Sequence, residues 1–305
     1  MGGFYSALRT GKNLSATTKM NIEYQKRDNS SVAICIYSYN KADELKKTLA
    51  SLSKTDFPSF HVLALNNASE DNTKEVIEHF LTKNILSGTA INLPVNIGAP
   101  GARNWLLKKA LDLNPEYIAY LDDDILLEEN WLANLVESLS ETPKAGVVGA
   151  KIINADPPKI IQHSGGILTS PEDWINNVLL WANIPDQGLF DNLSERDYLM
   201  GCANLYRTAA IKETGDFDIQ FSPTQFDDVD HHLRMRLMGW KVLFNGHVEI
   251  RHLRKSGGTQ TPNHLANRFK LQMKYDRENA QKIIKQNALS DFVRKHPWIQ
   301  KSAST

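Results

Sequence analysis

The sequence predicts an α/β fold, a mixed but mostly parallel sheet with helices on both faces. Three observations predict it. Short apolar runs alternate with segments of helical spacing through the first half of the chain. Polar residues cluster directly after those runs, at Ser38-Tyr39-Asn40, Asn66-Asn67, Asn96 and Asp122-Asp123-Asp124. With 305 residues and 41% hydrophobic composition, the chain can bury one large core.

Taken in order, residues 1–30 are polar, rich in Ser, Thr and Lys and without periodicity, and read as a flexible N-terminal leader. The apolar run 32–37 reads as a strand, 43–52 as a helix and 60–65 as a second strand, a β-α-β unit. A helix over 72–81, a strand over 89–93, a helix over 102–111, a strand over 117–121 and a helix over 129–139 continue the alternation. Such sheets bind ligands beyond the carboxyl ends of their strands, so the residues just after each strand carry the most interest.

Beyond residue 149 the rhythm breaks. Pro157-Pro158, Gly165-Gly166 and the aromatic stretch 174–190 predict irregular loops or an antiparallel excursion, expected to shape one side of a binding site. After Gly257-Gly258 the chain reads as a basic amphipathic helix or helix pair through Lys270, Lys274, Lys282, Lys285, Arg294 and Lys295. Its Phe269, Leu271, Phe292 and Trp298 suit peripheral docking on an anionic membrane surface; a solvated helix packed on the α/β body is the alternative.

Lys plus Arg equals Asp plus Glu at 35 each, so no global basic field awaits a polyanion, and nucleic acid is not an expected partner. Cys35 and Cys202 lie in apolar contexts without the spacing of a zinc or redox pair, and are expected to be buried free thiols. No window approaches the roughly 20 apolar residues of a membrane span, and the N-terminus lacks the apolar core of a signal peptide. A cytoplasmic protein is expected, peripheral on the inner face of the membrane if the tail docks.

The chemistry begins with Asp122-Asp123-Asp124. One Asp there could cap a helix beginning at Ile125. Three consecutive carboxylates on an apolar strand end repel one another unless a cation or solvent relieves them. Hard oxygen ligands point to Mg²⁺ or Mn²⁺, ions that commonly bridge to phosphate oxygens, and hence to a diphosphate substrate.

Together the motifs resemble those of inverting family-2 glycosyltransferases of GT-A fold, over roughly residues 31–254. Ser38-Tyr39-Asn40 resembles that family's first nucleotide-contacting loop, and the segment from Asn96 through Gly98 and Ala102 to Arg103-Asn104 its Asn-x-Gly-x-x-x-Ala-Arg-Asn element. Asp122-Asp123-Asp124 matches its Asp-x-Asp metal motif. Met200-Gly201-Cys202 and Gly215-Asp216-Phe217-Asp218 resemble acceptor-side elements, and Phe226-Asp227-Asp228-Val229-Asp230 with Arg234 and Gly239 resembles the Glu-Asp-x-Asp catalytic segment.

The resemblance implies residues 31–150 as the nucleotide-sugar half, 151–255 as the acceptor half and 256–305 as a tail. It assigns Ser38, Tyr39, Asn40, Asn67, Asn96, Gly98, Arg103, Asp122 and Asp123 to the donor, and Gly201, Cys202 and Asp227 to a glycan or lipid-linked acceptor. Asp124 and His252 would hold Mn²⁺ or Mg²⁺, and Asp228 would be the general base. His252, in an alternating run, equally reads as a half-buried strand residue, and Arg103 as one partner of a salt bridge. Two departures stand out: Asn66 replaces the usual Asp of the Asp-Asn-x-Ser-x-Asp loop, and Asp227 replaces Glu. The Gln-x-x-Arg-Trp motif of processive relatives does not occur, which implies a single transfer.

Asn67, whose amide can both donate and accept, suits a uracil or thymine edge, so a UDP- or dTDP-sugar is expected. The rival enzyme is a phosphotransferase with an aspartyl nucleophile, but Asp-x-Asp would then sit on the first strand, followed by Thr or Val where Leu126 stands. A dinucleotide oxidoreductase would need Gly-x-Gly-x-x-Gly after an early strand, and none occurs. The non-enzyme rival is a sugar-nucleotide-binding module without catalysis, against which the full acid set argues.

Overall fold

The first strand, β1 (Val32–Ser38), is buried along almost its whole length because both its faces are covered. Alternate side chains enter two different cores: Val32, Ile34 and Ile36 pack in one, Ala33 and Cys35 in the other. The same division runs through β2 (Phe60–Asn66) and β4 (Tyr117–Leu121), where Val62, Ala64, Tyr117 and Ala119 face one core and Leu63, Leu65, Ile118 and Tyr120 the other. A computed structural model of the chain describes residues 32–168, 178–180, 182–254 and 262–287. The expected leader, Trp174, Phe292, Trp298, Arg294 and Lys295 lie outside the described residues.

Helices cover each face. On the first lie α1 (Ala42–Leu52), α2 (Thr73–Thr82) and α4 (Trp131–Glu141), which bury Leu45, Leu49, Ile77, Phe80, Leu132 and Leu135. On the second lie α3 (Gly98–Asp112), α5 (Thr208–Thr214) and α6 (Asp227–Leu237), which bury Leu106, Leu107, Ile211 and Met235. Full burial of one such side chain contributes about 1.5–3 kcal/mol, so each helix is held mainly by its apolar stripe.

The sheet runs in the order β10, β7, β6, β12, β4, β1, β2, β3. Here β3 is Gly88–Asn92, β6 Ala145–Asn154, β7 Ile160–His163, β10 Ile184–Pro185 and β12 Ala203–Arg207. Strands β3, β2, β1 and β4 are parallel, and β12 is antiparallel to both β4 and β6. The long β13 (Lys241–His252) branches off as a parallel partner of β6 and pairs antiparallel with β5 (Ile125–Leu126) and β11 (Leu193–Arg196). A separate hairpin joins β8 (Gly166–Leu168) to β9 (Val178–Leu180), the antiparallel excursion expected of this half. The mixed α/β architecture expected from the sequence is the one found.

Two element boundaries differ from the sequence reading. Helix α3 starts at Gly98 rather than residue 102, because Pro100 falls in the first turn, where a missing N–H costs nothing. No helix starts at Ile125: residues 125–126 form β5 against β13, so the Asp triplet caps nothing and α4 begins at Trp131.

The basic segment after residue 261 is a helix pair, α7 (Pro262–Lys274) and α8 (Arg277–Gln286). Leu271, Tyr275, Ala280, Ile283 and Ile284 bury against Leu168, Phe221 and Leu233, so the pair packs on the body that carries the sheet.

Candidate active site

Strand β1 lies between β2 and β4, and the chain leaves it to one side and returns on the other. That reversal opens a crevice at the carboxyl ends, where Tyr39 to Lys41 and the Asp triplet emerge. Asn40, at φ 53°, takes the left-handed conformation that Asn tolerates, and stitches two loops together. Its N–H donates to Ser69 Oγ at 3.0 Å and its Oδ1 accepts from Glu70 N–H at 2.8 Å.

Asn67 donates to Asn96 Oδ1 and accepts from Ile97 N–H, both at 3.0 Å, so it ties the loop after β2 to the start of α3. It thereby keeps one N–H and one lone pair, rather than a whole amide edge, for any ligand. Gly98 sits at φ +73°, and a Cβ there would lie 3.0 Å from Pro223 O, which accepts from Ala99 N–H at 2.7 Å. Tyr39, Lys41, Asn67, Asn96, Gly98, Asp122 and Asp123 line one cavity of about 400 Å³. Ser38 is buried beneath it, and Asn40 builds its rim without lining it.

Ligand atoms of Asp122, Asp124 and His252 lie within 4.8 Å of one another. Pairing of Ile125 with His252 between β5 and β13 brings them together, reinforced by Leu253 N–H donating to Asp124 O at 2.8 Å. His252 Nε2 stands 3.0 Å from Asp124 Oδ1, and its Nδ1 is 2.9 Å from Gln162 Oε1. Two hard carboxylates and an imidazole whose far nitrogen is anchored form a donor set that fits a divalent cation.

Lys41 Nζ bridges Asp123 Oδ1 at 2.9 Å and Asp124 Oδ2 at 2.8 Å. Burial would lift the Asp124 pKa, but the His252 hydrogen bond and the Lys41 charge outweigh it and hold the carboxyl well below its usual range. Burial pushes Asp123 up to about 6 against the pull of Lys41, and raises Asp122 despite Arg103. The acids therefore differ in charge affinity: Asp124 is the most firmly ionised of the three.

A second cavity of about 280 Å³ shares Tyr37, Asp122 and Thr224 with the first and holds Arg103, Gly201, Asp227 and Asp228. Asp228 is the second residue of α6; its Oδ2 accepts from Gly201 N–H at 2.7 Å and its Oδ1 from Val229 N–H at 2.8 Å. Burial, then the Asp227 charge, pushes its pKa up to about 6 against Arg103 and those two donors. Such a carboxylate is ionised at neutral pH yet a stronger proton acceptor than an exposed one. Gly201 has to be glycine for this approach, since a Cβ would lie 2.7 Å from Arg103 Nη2 and 2.8 Å from Asp228 Oδ2. Gln225 and Phe226, at φ 77° and 70°, hold left-handed backbone immediately before the acids, a strained arrangement of the kind that clusters at functional sites.

Arg103 is buried, forms an ion pair with Asp227, and lies 3.9 Å from Asp122 Oδ1. Its guanidinium sits 5.7 Å from the Tyr37 ring and 5.5 Å from the Phe217 ring. Asp227 is equally buried and paired with Arg103, and it lines the same cavity as Asp228. The Cys202 thiol is buried in the core, and its carbonyl accepts from Asp122 N–H at 2.8 Å.

Sequence reasoning missed Lys41, Tyr37 and Gln162. Lys41 directly follows the Ser-Tyr-Asn loop and was findable from its place, whereas Gln162 reaches the site only through the β6–β7 pairing. Among the described residues a second acid group, Asp186, Asp191 and Glu249, surrounds the buried Lys151 ammonium at 2.8, 2.5 and 3.1 Å. That lysine fills the group and pins residues 186–191 to β6.

Comparison with known proteins bears on this geometry. The chain is 27% identical over 117 residues to a poly-beta-1,6-N-acetyl-D-glucosamine synthase of Staphylococcus epidermidis, covering 38% of this chain and 27% of that one. It is 25% identical over 248 residues to glucomannan 4-beta-mannosyltransferase 1 of Cyamopsis tetragonoloba, covering 77% and 44%. It thus spans less than half the length of either relative.

Among solved structures, GalNAc-T7 with UDP, GalNAc and Mn²⁺ superposes with a TM-score of 0.64 at 17% identity, over 82% of this chain and 49% of that one. S. aureus TarS residues 1–349 with UDP-GlcNAc gives 0.60 at 17% identity, over 84% and 71%. No described helix is long and apolar enough to cross a membrane. The profile of glycosyl transferase family 2 matches residues 33–214, more than half of the chain, and the chain belongs to that family.

Proposed function

We propose that this chain transfers a sugar from a UDP- or dTDP-linked donor to an acceptor hydroxyl with inversion at the anomeric carbon, in polysaccharide or glycoconjugate synthesis. The observation that carries the reading is Asp122, which lines both cavities and belongs to the acid and histidine group: the first cavity is also lined by Asp123 and Lys41, the second by the Asp228 carboxylate. A divalent cation, Mn²⁺ or Mg²⁺, held by Asp124 and His252 with Asp122 beside them, would neutralise the departing diphosphate.

The protein's own groups do the rest. Tyr39, Asn67 and Asn96 wall the donor cavity, and Lys41 adds a fixed positive charge at its acid side. Asp228 takes the proton of the acceptor hydroxyl as its oxygen attacks the anomeric carbon. The bond from that carbon to the phosphate oxygen breaks on the opposite face, and its electron pair leaves with the nucleotide diphosphate. Arg103 holds Asp227 and so fixes the start of α6, which aims Asp228. Other proteins of like fold have been solved with UDP-GlcNAc or with GDP-Man and Mn²⁺, which supports the donor class and leaves the base to the loop after β2.

The test is a panel of UDP-, dTDP- and GDP-sugars with simple acceptors, with Mn²⁺ or with chelator, reading nucleotide release and product anomer by NMR. Metal-dependent release with the opposite anomer is expected. Retention of configuration, or equal rates in chelator, would overturn the reading.

A further inference from the structure

Helix α7 carries two apolar stripes. Asn267, Leu271 and Tyr275 face inward, while Leu265, Phe269 and Met273 are 45%, 68% and 79% exposed. Positions two residues apart on an α-helix lie about 200° apart, so the second stripe lies on the side of α7 opposite Asn267 and Leu271, with Phe269 and Met273 at the edge of a shallow hollow shared with Gln220 and Phe221. The stripe is flanked by Arg268 and Lys270, while Lys274 is paired with Asp218 and Asp230 at 2.7 and 2.8 Å; α7 itself contains no Asp or Glu. Although the whole chain is neutral, residues 256–305 hold nine Lys and Arg against three Asp and Glu.

The inward face grips the acceptor cavity. Asn267 Nδ2 donates to the carbonyls of Phe221, Thr224 and Gln225 at 2.7, 2.9 and 3.2 Å, and Thr224, Gln225 and Phe226 line the cavity that holds Asp228. His264, near the start of α7, lines it too. One helix therefore presents an apolar, basic outer face and secures the wall of the Asp228 cavity with its inner face.

We infer that α7 lies in the interface of an anionic lipid bilayer, with Leu265, Phe269 and Met273 inserted among the acyl chains and Arg268 and Lys270 at the headgroups. Apolar insertion and basic flanks are the two signals such a contact needs. A bilayer seated there places the acceptor cavity beside the membrane surface, where an acceptor carried on a lipid would be presented. The acceptor statement rests on the transferase reading; the docking does not, so vesicle binding and turnover can fail independently.

The experiment is co-sedimentation of the full chain with sucrose-loaded phosphatidylglycerol or phosphatidylcholine vesicles. Phe269→Ser/Met273→Ser is the variant, and its melting temperature is measured in parallel. The expected result is partition onto phosphatidylglycerol at least tenfold above phosphatidylcholine, reduced by high salt, and lost at least tenfold in a variant that melts as the wild type does. Equal partition onto both vesicles, no partition, or undiminished partition of the variant would overturn the inference. So would sedimentation velocity showing a wild-type dimer that the variant abolishes, since a second copy would then cover the stripe.

Discussion

His252 and Asp124 are 128 residues apart in the chain, yet Nε2 of one stands 3.0 Å from Oδ1 of the other. The cause is the two-residue strand β5, which pairs Ile125 with His252 and Leu126 with Arg251. Gln162 then fixes the imidazole from behind at 2.9 Å. Partners that orient a ligand in this way typically contribute about 10- to 100-fold in metal affinity. Gln162→Leu should weaken Mn²⁺ binding in the presence of UDP by that factor, and His252→Ala by more, both measured by calorimetry. Unchanged affinity in both would remove His252 from the cation site.

Lys41 neutralises two carboxylates that otherwise repel each other. Lys41→Met should destabilise the metal-free protein by roughly 1–3 kcal/mol, the scale of a lost charged hydrogen-bond partner. Because a bound cation relieves the same repulsion, Mn²⁺ should raise the melting temperature of the variant more than that of the wild type. Equal metal-induced shifts would show that Lys41 does not share its carboxylates with the cation.

Arg103 and Asp227 form a buried pair, and removing one partner leaves the other charged without compensation. Arg103→Met should cost about 3–5 kcal/mol. Adding Asp227→Asn should recover much of that loss, because the two residues interact directly. Urea melts of the single and double variants measure it, and additive losses would contradict the positioning role given to Asp227.

Most of the frame was legible in the sequence because its strands are buried on both faces and read as unbroken apolar runs. The strand-end clusters at Asn67, Asn96 and Asp122 converge because parallel strands present their carboxyl ends together. What escaped was non-local. Nothing near Ile125 signals that it pairs with β13 instead of starting a helix, and nothing near Gln162 signals an imidazole partner. Motif position likewise does not tell that Asp227 is buried against Arg103 or that the Cys202 thiol turns into the core.

The raised pKa of Asp228 gives a pH dependence with a definite sign. A general base works only when ionised, so kcat/KM should rise with pH up to about 6 and level off above it. Asp123 is also pushed up to about 6, so the wild-type profile alone does not separate them. The residual activity of Asp228→Asn should lose this limb. A limb that persists unchanged in that variant would assign it to Asp123.

Asp228 is the proposed base that serves the acceptor. It lies in the second cavity, bonded to Gly201 and Val229 rather than to the acid and histidine group. The decisive measurement is turnover of Asp228→Asn set beside its dissociation constant for the donor nucleotide. General-base assistance contributes about 10²- to 10⁴-fold, so turnover should fall by that factor while donor affinity stays within about twofold. Near-normal turnover would remove Asp228 from the chemistry, and lost donor binding would place it with the cation instead of the acceptor.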